Sequence, residues 1–179
     1  MNPRNLGELF PTHDLTSAPA EARPFLEAQQ KAFGFVPLPT ARHATAPAVV
    51  EGFTLLLGVF ERTSLSAMEK EALALALAGE FDCAVCRTLH TGVARKLGAS
   101  PELVEALLAR KGISDARLAE LVRFVEEALT THGKVSEEAL GRFVATGFTA
   151  RQALEVVVGI ATYTLSIFAN RMTRSETLR

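Results

Sequence analysis

Between Ser66 and Gly98 the chain reads SAMEKEALALALAGEFDCAVCRTLHTGVARKLG. Ser66 followed three residues later by Glu69 is a capping box, in which each side chain satisfies a free N–H at the helix end. A helix from Ala67 to about Gly79 follows. The chain should break near Phe81, because Asp82 is a good N-cap for a second helix, Cys83 to Leu97, which stops at Gly98. Two helices joined by so short a link can form a hairpin. Nothing elsewhere alternates between apolar and polar for long enough to build a sheet, so the chain is expected to be all-α.

The same signals extend in both directions. Residues 1–18 are rich in Pro, Thr and Asn and read as an irregular arm, leaving 19–179 as a single helical domain. A first helix fits Pro19 to Phe33, stopped by Gly34. FVPLP, from Phe35 to Pro39, forces an extended link, since each proline biases its predecessor away from helix. A short helical turn from Thr40 precedes Pro47, which suits the first position of a longer helix reaching about Arg62. Downstream, Ser100 and Pro101 open a helix to about Arg110, Ser114 or Asp115 begins the next, and Ser136 another. Thr149 with Gln152 is a second capping box, for a last helix from Ala150 to about Thr173. The expected bundle has about seven or eight helices.

That last helix carries ALEVVVGIATYTLSIFANR and is apolar on nearly every side, whereas a helix on one face of a monomer shows a polar stripe. It is either central or at a subunit interface. VVEGFTLLLGVF adds a second apolar helix, more than one small bundle hides, which favours a homo-oligomer. Composition is 48% hydrophobic and 22% charged with a formal net charge of -1. Neither disorder nor a polyanion-binding surface is suggested, so no nucleic-acid partner is expected. The N-terminus lacks the apolar run of a signal peptide, and no stretch of about 20 uncharged apolar residues offers a bilayer span. A cytoplasmic location without a membrane partner is expected. In a reducing cytosol, two cysteines spaced as C-x-x-C more often bind metal or do redox chemistry than form a structural disulfide.

Cys83 and Cys86 are the only cysteines, and His90 follows four residues after the second. At about 100° per residue the three fall at successive turns on one helical face. Residues three apart in a helix have Cα atoms roughly 5 Å apart, inside the range a disulfide accepts. Cys83, in the first turn, gains from the helix dipole and free N–H groups, which favour a thiolate. His90 lies one turn below Cys86 and can take its proton. If the two helices pair, the Glu71 carboxylate can return beside His90, orient the imidazole and stabilise its protonated form. Three other readings stay open: two inert buried thiols, a zinc site of Cys83, Cys86, His90 and Glu71, and a non-catalytic oligomer whose disulfide acts as a redox switch. His13, His43 and His132 carry less weight. Tyr163 reads as core, Asn170 and Arg171 as structural, and Phe81 and Phe168 as walls that keep water from the thiols.

The arrangement Glu71, then twelve residues on Cys83-Ala-Val-Cys86, then His90, resembles the active-site motif of the alkylhydroperoxidase AhpD-like proteins, in the peroxidase-related branch of the carboxymuconolactone decarboxylase superfamily. FGFVPLPTARHATAPAVVEGF upstream and LVRFVEEALTTHGKVSEEALGRFVATGFTARQALEVV downstream are similar to that branch as well, so the resemblance covers nearly the whole chain after about residue 24. It implies an all-α subunit of a homotrimer or homohexamer that reduces hydroperoxides or disulfides in antioxidant defence. Cys86 would attack the peroxide, Cys83 would resolve the sulfenic acid, and Glu71 with His90 would relay protons. No cofactor is implied; an external lipoyl group, reducing protein or small thiol would regenerate the dithiol. Val85 departs from the polar or aromatic residue common before the second cysteine. A decarboxylase-type acid–base enzyme of the same superfamily is the rival that the intact C-x-x-C argues against.

Overall fold

The computed structural model of the chain describes residues 9–179, so residues 1–8 of the expected arm lie outside the described residues. Among those described are nine helices and no strand. They are α1 (Arg23–Phe33), α2 (Leu38–His43), α3 (Pro47–Glu61), α4 (Ala67–Glu80), α5 (Ala84–Lys96), α6 (Pro101–Ala109), α7 (Ala116–Thr130), α8 (Glu137–Ala145) and α9 (Ala150–Met172). The all-α expectation holds, and the short turn expected near Thr40 closes as α2.

Caps read from sequence set most of the starts. Ser66 and Glu69 exchange both bonds of their capping box, as do Thr149 and Gln152. Ser100, Asp115 and Ser136 each accept from the backbone N–H three residues on. Two starts differ from expectation. The first helix begins at Arg23 rather than Pro19, because Pro24 falls at its opening positions and has no N–H to continue a helix already under way. Asp82 does not cap α5; Cys83 does, in an extended conformation. Asp82 has φ 50°, a left-handed residue that closes α4, with the Cys83 N–H returning to the Ala78 carbonyl at 3.0 Å. A short polar side chain tolerates that conformation better than most. The cap therefore moves one residue along, onto a thiol.

The centre of the molecule is α4. Ala72 to Ala78 are each at most 1% exposed, and α5, α6, α7 and α9 all pack on this helix. Three charged residues at its start are also buried, each with its own partner. Glu69 accepts from the Arg117 guanidinium, Lys70 donates to the Glu61 carbonyl, and Glu71 bonds His90. Steps of about 100° send three successive side chains to three different neighbours. Phe60, Leu73, Leu121, Phe143, Val156 and Ile167 fill the main core. A smaller apolar cluster joins Ala18, Ala22 and Leu26 to Ala44 and Val50.

Two glycines set the distances on which the site depends. A Cβ on Gly159 would sit 2.6 Å from Phe60 and 2.8 Å from Leu73, so α9 crosses α3 and α4 closely there. One on Gly79 would meet the Leu108 carbonyl oxygen at 2.0 Å. A backbone carbonyl cannot swing aside as a side chain can. Gly79→Ala is therefore expected to lower stability by about 3 kcal/mol, the upper range of core overpacking, which for this chain length is a fall in Tm of roughly 6–12 °C. An unchanged melting curve would show that α6 gives way freely.

The last helix is only partly central. By length and composition α9 would suffice to cross a membrane, but a third of its most apolar window is buried by the rest of the chain. Its inner face packs on α3 and α4, while Leu154 (73% exposed), Val157, Phe168 and Met172 face outward.

Candidate active site

The α4–α5 hairpin brings the four expected groups together. Cys83 ends the link, Cys86 and His90 lie on the buried face of α5, and Glu71 comes from the first half of α4. The two free cysteines have Sγ atoms 2.6 Å apart. His90 Nδ1 is 2.8 Å from a Glu71 carboxylate oxygen, and both side chains are nine-tenths buried. An imidazole held this way keeps its Nδ1 hydrogen toward the carboxylate, which leaves Nε2 for chemistry.

Two residues expected to be structural belong to the site. Asn170, on α9, points its amide nitrogen at both sulfurs, 3.7 Å from Cys83 Sγ and 3.5 Å from Cys86 Sγ. Tyr163, two helical turns earlier on the same face, sets its ring edge-on to His90 with centroids 4.9 Å apart. Burial, then the Glu71 carboxylate, holds the Tyr163 hydroxyl well above its ordinary value, so it stays a neutral phenol. Arg171 donates to the carbonyls of Phe81 and Asp82 and so fixes the link that carries Cys83. The expected aromatic walls are not found at either opening: neither Phe81 nor Phe168 lines the recess or the cavity beside the thiols, and the two rings pack edge-to-face on each other at 5.4 Å, with Phe168 half exposed. Among the described residues no group of three or more His, Cys, Asp or Glu side chains is arranged to hold a metal ion.

Each sulfur opens on a different side. Cys83 lines a broad polar recess of about 470 Å3 whose rim includes Arg171, Arg174 and Glu176. Cys86 lines a much smaller, mainly apolar cavity of about 90 Å3, together with His90, Tyr163 and Val85. Asn170 borders both. The C-terminal segment closes one side of the small cavity: Leu178 contributes to its wall, and the Leu178 carbonyl accepts from the Leu38 N–H at 2.9 Å.

The thiols release their protons unequally. A hydrogen bond from the Cys86 side chain, assisted by the Cys86 N–H and the Asn170 amide, pulls the Cys83 thiol down to about 6 against the opposition of burial. The same contact, with burial, holds Cys86 protonated far above the ordinary thiol range. The pair therefore carries one negative charge at neutral pH, shared between two touching sulfurs. Alkylation by iodoacetamide should accordingly rise through about pH 6 rather than pH 9. Asn170→Ala should move that midpoint upward, because a donor to the thiolate is lost. A wild-type midpoint near 9 would remove the charge from the account.

No protein-family model matches the chain, and no curated relative matches it significantly. Solved structures do match. An alkylhydroperoxidase AhpD core, an uncharacterized peroxidase-related protein from Ralstonia eutropha JMP134, superposes with TM-score 0.79 at 21% identity, over 95% of this chain and 90% of that one. An uncharacterized peroxidase-related protein from Silicibacter sp. TM1040 gives TM-score 0.73 at 21% identity, over 94% and 88%. The debrominase Bmp8 in its apo form gives 0.70 at 15% identity, over 88% and 86%; a variant of it has also been solved in complex with 2,3,4-tribromopyrrole. At these identities the likeness is one of fold, and the chain has the AhpD-like helical fold.

Proposed function

We propose that the chain is a dithiol hydroperoxide reductase. The observation that carries this reading is that Cys86 opens into the same small cavity as His90, whose other nitrogen is held by Glu71, while Cys83 touches Cys86 from behind. The charge on Cys83 passes to Cys86 when the thiol proton crosses between the touching sulfurs. The Cys86 thiolate attacks the terminal oxygen of the hydroperoxide. The O–O bond breaks, the sulfur is oxidised to the sulfenic acid, and the departing alkoxide leaves as the alcohol by taking from His90 Nε2 the proton that the dithiol gave up to it on ionising. Cys83 then attacks the Cys86 sulfur; its proton leaves with the displaced hydroxyl as water, and a disulfide closes. Glu71 orients the imidazole and stabilises its charged form until that proton is delivered to the alkoxide. Asn170 donates to whichever sulfur carries the charge.

The disulfide needs an external reductant, and two donor thiols are oxidised per cycle. The broad recess beside Cys83 suits a thiol presented by a larger molecule, such as a lipoyl arm or a reducing protein. A redox-active dithiol of this kind works in a reducing compartment, which favours the cytoplasm. The outward Leu55, Val59, Leu154 and Val157 on α3 and α9 favour a homotrimer or homohexamer built on those helices. The test is steady-state consumption of an organic hydroperoxide with a panel of donors: dihydrolipoamide, thioredoxin, glutaredoxin and a small monothiol. One reading competes, supported by the fold shared with a debrominase. Bromide release from 2,3,4-tribromopyrrole, with no hydroperoxide consumed under any donor, would favour it.

A further inference from the structure

The segment that follows α9 is held in two very different ways. The chain leaves the helix and reverses at Arg174, which has φ 51°. Residues 173–175 are firmly tied. The Arg42 guanidinium donates to the carbonyls of Thr173 and Arg174 at 2.9 and 3.0 Å, and the Ser175 N–H donates to the Asn170 carbonyl at 2.8 Å. The buried Thr173 and Ser175 hydroxyls bond each other. Residues 176–179 lack such anchors. Among the described residues, a single hydrogen bond joins them to the rest of the chain, from the Leu38 N–H to the Leu178 carbonyl. Besides it, the Arg179 guanidinium lies over the Phe35 ring, 4.3 Å from its centroid, and the half-buried Leu178 side chain packs on the main core. Glu176, Thr177 and Arg179 are exposed.

Leu38 opens α2, so its N–H has no acceptor inside that helix, and Pro37 before it supplies no capping side chain. The Leu178 carbonyl takes that place. One backbone bond nets little against water, and a cation over an aromatic ring at an exposed site adds little more. So few contacts mark a segment that opens locally while the fold around it holds. Opening changes the size of the cavity. With Leu178 in its wall the space beside Cys86 is about 90 Å3, well short of the ~150 Å3 of an apolar cavity known to take up benzene. Hydrogen peroxide fits such a space; an aromatic ring needs Leu178 to move.

We propose that residues 176–179 form a strap that gates the Cys86 cavity, with Leu178 as the residue that sets which hydroperoxides reach the thiol. Small hydroperoxides react with the strap down, whereas one carrying a ring-sized organic group reacts only from the open form. The proposal rests on the reductase reading for the reaction at Cys86. The hinge falls just after Ser175, so Asn170 keeps its place beside the sulfurs when the strap lifts.

The test follows the loss of free thiols from the reduced full-length protein in a single turnover, with hydrogen peroxide and cumene hydroperoxide as the two oxidants and no donor. Arg179→Ala is the decisive variant. Neither Arg179 nor Phe35 lines the cavity, so the substitution loosens the strap without enlarging the closed space. It is expected to raise the cumene hydroperoxide rate constant, relative to that for hydrogen peroxide, by roughly two- to fivefold, the factor that a lost surface cation–π contact corresponds to. Amide exchange at Leu38 should quicken by the same factor, since both report the open population. Leu178→Ala, which also gives up apolar burial, should raise the same ratio by about tenfold or more. An unchanged ratio in Arg179→Ala, or a Leu38 amide whose exchange does not follow the rate, overturns the gate. If hydrogen peroxide still oxidises the thiols under those outcomes, only the gate falls. Thiols that neither oxidant touches in any variant remove the reductase reading, and the gate with it.

Discussion

Cys86→Ser is expected to abolish hydroperoxide consumption, by more than a thousandfold, while Cys83→Ser consumes about one equivalent per subunit and stops. The two thiols are three residues apart and in contact, yet only Cys86 opens into the cavity that His90 lines. A serine there is a much poorer nucleophile than a thiolate, and Cys83 faces the opposite recess without the histidine. With Cys83 replaced, the first step still forms a sulfenic acid, which no neighbouring thiol resolves and which dimedone should trap on Cys86. Loss of the Cys83 charge also slows that first step at low pH, since Cys86 must then ionise alone. A single-turnover burst retained by Cys86→Ser reverses the roles. The low pKa of Cys83, drawn down first by the hydrogen bond from the Cys86 side chain, would then govern the reaction.

His90→Ala should slow the single-turnover step by roughly a hundredfold or more, the usual cost of losing general acid–base help. Glu71→Gln is the sharper variant. It keeps a hydrogen-bonding group of the same shape 2.8 Å from Nδ1 but removes the charge that steadies the imidazolium. Its effect should approach that of His90→Ala, and should appear as an altered pH profile with little change in fold. If Glu71→Gln keeps full rate and an unaltered profile, the buried pair serves packing rather than chemistry.

Much of this arrangement was legible from the chain alone, and the parts that were not share a cause. Capping boxes, proline positions and the C-x-x-C spacing are local, so Ser66, Thr149 and the Cys83–Cys86–His90 face could be read directly. Glu71 needed only the assumption of a hairpin. Asn170 and Tyr163 come from a helix about eighty residues away, and whether they face the thiols depends on how α9 crosses α4. Their seven-residue spacing puts them on one face, which was the available signal; the close crossing at Gly159 that aims this face at α5 is a tertiary fact. The displaced cap has a different origin. Asp82 has the chemistry of an N-cap, but ending α4 required a left-handed residue at that position, and the two demands exclude each other. The burial of α4 rather than α9 at the centre follows from its small alanines, which admit four neighbours at once.

The most direct test of the central claim is the mass and thiol count of the reduced protein after one equivalent of an organic hydroperoxide, with no donor present. The account predicts that each chain loses two hydrogens and both free thiols within itself, while one equivalent of the alcohol appears. Adding a donor dithiol should restore both thiols. An unreacted chain, a disulfide formed between chains, or thiols protected by a stoichiometric metal would contradict it.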